Sequence, residues 1–541
     1  MTSVPTPPDP DATFDPLRDR LFVADAVRTL EDGVPAGAVE GDAVAVRGGR
    51  ILGVGAAADL APRLADGFER VELPGATLTP GFHDAHVHLG YHGLERAQVP
   101  LGDTTSFDAA IARLAERAAA LPPGTWVEGA GFALQRWGVR RPDRAPLDAA
   151  LPDHPVLMRS QDHHGALANA AALAAAGVDA ATPDPPGGEV VRRADGTPTG
   201  ELLERAVELV AGAVPAPSDA ALAAALYDGA RHLASLGVTT VHHMAYEPAR
   251  NHRAIAREAS RATFPLRVWA CLMQEDLEAA EALGVATGQG GDRYEVGGAK
   301  FFVDGALGSL TAWMEAPYLG HDDAGRVVTD PAVLHERVGR AVAAGLTPVG
   351  HAIGDAAVAA LLDAFEAHAP AWRAAGLRPR VEHAQHVAPR DVVRLGRLGL
   401  VASMQPLHLT FDAPTIHREL ADRIDRAYPV RSLAEAGATV AFGSDTPVAP
   451  PDVVATLRAA TERRGLNDLV VGPDEALTPL AAVRAYTRGA AAAIGREGTS
   501  GVLRPGADAD LTAWSHDPTA GAYDDLRALA TVVAGRVAYR A

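Results

Sequence analysis

Ten short apolar runs divide the middle of the chain, and six of them carry a histidine, an aspartate or a lysine. They are GFHDAHVHL (81–89), TWVEGAGF (125–132), PVLMRS (155–160), GVTTVHHM (237–244), PLRVWACLM (265–273), AKFFVDG (299–305), LTPVGHAIG (346–354), RPRVEHAQ (378–385), LVASMQP (400–406) and TVAFGSD (439–445). Ala-rich helical text such as SDAALAAALYDGARHLASLG and PAVLHERVGRAVAAG separates them. Short strands alternating with helices form βα units around a parallel sheet, so the fold class is α/β. A closed (β/α)8 TIM barrel needs eight strands. The two runs inside 100–230 are therefore assigned to a large insertion after the first barrel strand.

The ends of the chain read differently. Residues 20–77 carry turn-broken apolar runs (LFVADAV, DAVAVRGGRILGVG), and the last 45 residues repeat that texture (GVLRPGADADLTAW, LATVVAGRVAYRA). Strand-and-hairpin text at both ends predicts one composite β-sandwich domain built from residues 14–77 and 497–541. The barrel then spans 78–496, with the insertion at about 100–230, and residues 1–13 form a flexible tail. No fixed-period repeat is visible.

Charge and cysteine usage narrow the function. The chain has 49 basic and 68 acidic residues, a net charge of −19, which argues against a nucleic-acid or anionic-membrane partner. No stretch reaches the length of about 18 uncharged apolar residues that a membrane span requires. The Pro- and Asp-rich start has no apolar h-region, so no signal peptide is expected. The single cysteine, Cys271, fits a reducing compartment, and a cytoplasmic location is expected.

His86 and His88 stand two apart, and alternate residues of a strand share a face, so both imidazoles can address one ion. His351, His383 and Asp445 each end an apolar run that precedes a loop. Strand C-termini converge on one face of a barrel, where active sites lie. Four histidines and an aspartate gathered there make a nitrogen/oxygen site suited to zinc or another divalent metal. Lys300 is the only lysine among the 49 basic residues, and it lies on another strand. A protonated ammonium cannot bind a cation. A lysine carbamylated by CO2 presents a carboxylate, which arginine cannot form. The other reading is a buried lysine paired with Asp304 or another acid.

GFHDAHVHL, GAKFFVDGALGS, HAIGDAA, VEHAQ and FGSDTP together resemble the amidohydrolase superfamily. Further segments are similar to its N-substituted formamide deformylase-like branch, amidohydrolase family 3. These are DHHGALANAAAL (162–173), PTGELLERA (198–206), LGVTTVHH (236–243), SMQPLH (403–408), YPVRSLAEAGATVAFGSD (428–445) and AVRAYTRGAAAAIG (482–495). The resemblance runs from about residue 20 to 541. It implies a (β/α)8 barrel, a composite β-sandwich and a mono- or binuclear metal site. It places one metal on His86, His88 and Asp445 and a second on His351 and His383, with carbamylated Lys300 between them. His163, where glycine is usual, and Trp313 and Met314, after the lysine strand, depart from the family's pattern and bear on substrate identity.

Other positions carry two readings each. His164 and Asn169 match a motif that contributes to the pocket in relatives, whereas Asn169 read locally is a helix cap. Gln405 and His408 follow the seventh strand, as substrate contacts or as support. His243 reads as structural, His83 and His92 as supporting or surface residues, and Asp355 as a residue that orients His351 or its loop. Cys271 reads as a core thiol.

The expected activity is metal-dependent hydrolysis of a C–N bond in a small non-peptidic amide, formamide-like. Asp445 acts as general base and then general acid. A deaminase or cyclic amidase on the same scaffold is the alternative, and a non-catalytic binding or assembly protein is the alternative of another class. A homodimer is the candidate assembly.

Overall fold

Eight of the ten apolar runs pair side by side, all in parallel. The computed structural model describes residues 15, 18–31, 33–34, 38–139, 141–160 and 165–541. The expected tail at 1–13 lies outside them. The barrel strands are β1 (Phe82–Val87), β2 (Val238–His243), β3 (Arg267–Met273), β4 (Tyr294–Phe302), β5 (Thr347–Ala352), β6 (Arg380–His383), β7 (Val401–Met404) and β8 (Thr439–Phe442). They lie in chain order, each hydrogen-bonded to the next. Just past β8 the ring closes on β1: Asp445 N donates to His86 O at 2.7 Å, and His88 N donates to Thr446 O at 2.9 Å.

Local chemistry sets the helices between strands. Asp330 caps the helix Pro331–Ala343 by accepting from Ala332 N, and proline at the first helical position loses nothing there. The helix Asp355–Ala367 buries Val358, Leu361, Leu362 and Phe365. Gly350 of β5 lets that helix approach, since a Cβ there would meet Leu361 Cδ2 at 2.4 Å.

A seven-stranded sheet unites the two ends of the chain. Its order is Arg536–Arg540, Ala528–Val533, Leu511–Trp514, Glu69–Pro80, Arg20–Val27, Ala43–Arg47 and Arg50–Gly55. Strand alternation sorts its side chains. Phe22, Val44 and Val46 join Leu511 and Val532 in one core, while Leu21, Ala43 and Ala45 pack with Leu60 on the other face. The sheet meets the N-terminal end of the barrel: Thr512 Oγ1 donates to Gly237 O at 2.7 Å, and Trp514 lies 5.0 Å from Phe82, ring to ring. Arg267 of β3 binds Asp510 at 2.7 Å beside Asp508, a buried ionic tie at the barrel's base.

Residues 91–228 form a separate compact unit. The remaining two runs lie here as Val127–Phe132 and Val156–Ser160, within a six-stranded mixed sheet. Val156 and Met158 face one core and Leu157 the other. Among the described residues, no helix is long and apolar enough to cross a membrane.

Candidate metal centre

Strand parity delivers the first pair. His86 and His88 both leave β1 on its inner face, 1% and 8% exposed. Asp445 comes from the turn after β8 with φ +63°, a left-handed conformation rare for a residue with a side chain. Its Oδ1 lies 3.4 Å from His86 Nε2 and 3.3 Å from His88 Nε2. Gly443 makes that approach possible, because a Cβ there would sit 2.5 Å from His86 N and 2.9 Å from Asp84 Oδ1.

A buried carboxylate fixes the orientation of His86. Glu382, fully buried, accepts from His86 Nδ1–H at 2.7 Å and from Arg380 Nε at 2.8 Å. With the proton on Nδ1, Nε2 is the bare nitrogen that faces Asp445. Arg380 is itself fully buried and donates to Ala85 O at 2.7 Å and Ser403 Oγ at 3.0 Å. Glu382 and His383 are consecutive, so a regular strand would point them to opposite faces. His383 has φ +73°, which breaks the alternation, and its ring lies 4.8 Å from that of His86.

Gln405 does for His383 what Glu382 does for His86: its Oε1 accepts from His383 Nδ1–H at 2.8 Å. Gln405 is therefore an orienting residue here. His408 lies one helical turn later, with Nε2 3.9 Å from Asp445 Oδ2. Among the described residues two groups of closely spaced donor atoms result: His86, His88 and Asp445; and His383, His408 and Asp445. His351, expected to pair with His383, is in neither. Its ring stands 4.4 Å from that of His383, but its Nε2–H donates to Gly305 O at 2.9 Å.

Lys300 on β4 is 1% exposed, and its Nζ has no hydrogen-bond partner among the described residues. Asp304, the acid proposed for it in the alternative reading, is engaged elsewhere. It accepts from Trp313 N at 3.0 Å, Ile353 N at 3.1 Å and Gly354 N at 2.8 Å, and stands 3.5 Å from His351 Nε2.

Electrostatics keep the donors ready for a cation. Burial pushes His86 down to about 4 and His351 to about 3, and His383 lies well below its usual value, so the rings are neutral at pH 7. Burial alone would raise Asp445, but His86, His88 and His383 hold it well below the carboxylate range. Burial also lowers Lys300, with Glu382 and Asp445 opposing. Neutral imidazoles and an ionised carboxylate are the donor set a divalent ion takes. The residues fit a metal.

The remaining expected positions divide. Asn169 is 1% exposed; its Oδ1 accepts from Ala172 N and Val156 N, and its Nδ2 donates to Leu151 O and His154 O. That is a helix cap with no hydrogen-bonding capacity left for a substrate. His164 lies outside the described residues. His243 accepts from Leu89 N and meets His252 at 3.3 Å. His83 and His92 are both buried, and His83 pairs with Ser500 at 2.8 Å. Asp355 accepts from Glu315 N and Arg426, so it organises the loop. Cys271 is buried, its thiol pushed up to about 11 by burial. Sequence reasoning missed Glu382, Arg380 and Asp84. Asp84 Oδ1 accepts from Ser444 N at 2.8 Å. The signal for Glu382 was its place directly before His383.

A parallel eight-stranded barrel with imidazoles and a carboxylate gathered at its strand ends defines a metal-dependent hydrolase scaffold. The amidohydrolase family profile matches residues 69–539, and the chain belongs to that family. Protein LONG AFTER FAR-RED 3 of Arabidopsis thaliana is 34% identical over 521 residues, covering 92% of this chain and 88% of that protein. N-substituted formamide deformylase of Arthrobacter pascens is 28% identical over 549 residues, covering 97% and 98%. The crystal structure of an uncharacterized metal-dependent hydrolase from Pyrococcus horikoshii OT3 matches with a TM-score of 0.76 at 26% identity, covering 93% and 98%.

Proposed function

We propose that this amidohydrolase cleaves the C–N bond of a small non-peptidic amide of the formamide type, with zinc as its ion. The observation that carries this reading is the meeting of His86 Nε2, His88 Nε2 and Asp445 Oδ1 at the closing seam of the barrel. The similarity to a formamide deformylase supports the substrate class. When bound, the ion lowers the pKa of water toward ~7 and draws charge from a carbonyl.

The chain's own residues do the rest. Glu382 keeps the proton of His86 on Nδ1 and so keeps Nε2 bare. Asp445, ionised and facing the centre, accepts the proton of the attacking water on Oδ2 and returns it to the leaving nitrogen. Lys300, buried and with its pKa lowered by that burial, reacts in its neutral form with CO2 to give a carbamate and a proton, adding an anionic oxygen beside the histidines.

The test is a turnover screen of zinc-loaded protein on formamides, other amides, ureas and esters. Hydrolysis of esters alone refutes the C–N assignment, and ammonia released from an amino-substituted ring in place of amide cleavage marks a deaminase instead. Asp445→Asn lowers turnover about 10²–10⁴-fold if Asp445 carries the proton. Metal content is measured in the same sample, and normal turnover at normal metal content refutes that role.

A further inference from the structure

We infer that His383, His408 and Asp445 form a second divalent-cation position that slows turnover when it fills; this rests on the reading of the chain as a metal-dependent hydrolase. The three residues come from β6, from the first turn of the helix Pro406–Glu419 and from the turn after β8. Their donor atoms all lie within 4.8 Å of one another.

Asp445 divides its two oxygens between two sets of histidines. Oδ1 faces His86 and His88, whereas Oδ2 faces His408 at 3.9 Å. His408 Nε2 is buried without a hydrogen-bond partner among the described residues. An unpartnered buried nitrogen is costly unless something binds it. The side chain of Gln385 stands 3.4 Å from His408 Nδ1, and its own Oε1 also lacks a partner. Turning that amide lets Oε1 accept from Nδ1–H, which leaves His408 Nε2 bare. Gln405 already fixes His383 in the same sense. Two bare imidazole nitrogens and a carboxylate oxygen suit zinc or cobalt.

The position differs from the His351–His383 pair that the family resemblance implies. His351 is held by Gly305 O and lies outside the group, whereas His408 lies inside it. A cation there engages Asp445 Oδ2, the oxygen that accepts a proton in the proposed reaction. Filling the position therefore raises metal content and lowers turnover together.

The experiment titrates chelator-stripped protein with Co(II), reading stoichiometry by equilibrium dialysis with elemental analysis, the cobalt absorption spectrum, and turnover in parallel. Wild type takes up two ions per chain, the second more weakly, and turnover falls as the second binds. His408→Gln weakens the second uptake at least about tenfold, while His351→Gln retains it. His408→Asn, checked by circular dichroism, stands in if the first variant does not fold. Wild type that binds no cobalt refutes the metal-dependent reading itself. Wild type that binds a single ion, or His408 variants that keep both at unchanged affinity, overturns the second position and leaves the first intact. A second ion that binds through His408 but leaves turnover unchanged overturns the inhibitory part.

Discussion

Glu382→Gln tests how His86 is oriented. The carboxylate is fully buried and serves two partners, His86 Nδ1–H at 2.7 Å and Arg380 Nε at 2.8 Å. An amide of the same shape removes the charge and offers only one acceptor oxygen. If that oxygen serves Arg380, the amide NH2 faces His86, which must move its proton to Nε2, the nitrogen that faces Asp445. Outer partners of metal-binding histidines contribute about 10–100-fold in affinity, equivalent to about 1.4–2.7 kcal/mol. Arg380 also loses its buried counter-charge, and breaking a buried ion pair from one side costs about 3–5 kcal/mol. The variant therefore binds Zn(II) about 10–100-fold more weakly in a chelator competition assay and unfolds at lower denaturant. Unchanged zinc affinity together with an unchanged unfolding midpoint refutes the orientation argument.

Lys300→Arg removes the only lysine and with it the buried amine that carries the carbamate, so metal content and turnover both fall. Protein supplied with carbon-13 bicarbonate gives a carbamate resonance that this variant lacks, and a wild-type spectrum without it refutes the modification. Gly443→Ala forces a Cβ to within 2.5 Å of His86 N, and overpacking of this kind costs about 1–3 kcal/mol, read from urea unfolding. His386 is fully buried with neither ring nitrogen bonded among the described residues, and burial pushes it down to about 4 from 6.5. The unfolded chain therefore takes up a proton below about pH 6.5 that the folded chain refuses until about pH 4, so stability falls as pH falls through that window. His386→Gln flattens the wild-type slope by about one proton, ~1.4 kcal/mol per pH unit, in unfolding midpoints between pH 7 and 4.5. An identical slope in both proteins refutes this.

Period and punctuation made the barrel legible. Each strand is a short apolar run between Ala-rich helices, and the residues ending the runs lie where strand C-termini converge. His86 and His88 were readable from parity alone. Glu382 was not, because parity assigned it the face opposite His383, and only the left-handed backbone at His383 brings both toward His86. The closeness of His408 to Asp445 was hidden for a similar reason. His408 reaches Asp445 through the path of the turn after β7, whereas Gly305 O, a backbone atom, holds His351. Asn169 looked equally suited to capping and to binding until its backbone partners were placed. The strands of both ends could be read, but not their order, since pairing across 431 residues, Pro80 with Leu511, leaves no local trace.

That long-range pairing has a consequence for synthesis on the ribosome. Strand Glu69–Pro80 has a neighbour on one side early, Arg20–Val27, but its other neighbour is Leu511–Trp514, with Pro80 opposite Leu511. At roughly 5–20 residues per second, translation supplies that partner about 20–90 s later. Through that interval the nascent chain carries an open β edge, a template for pairing with other chains. The late-made strand Leu511–Trp514 therefore acts as an internal cover: it completes the sheet at the base of the barrel and withdraws an adhesive edge at the same moment.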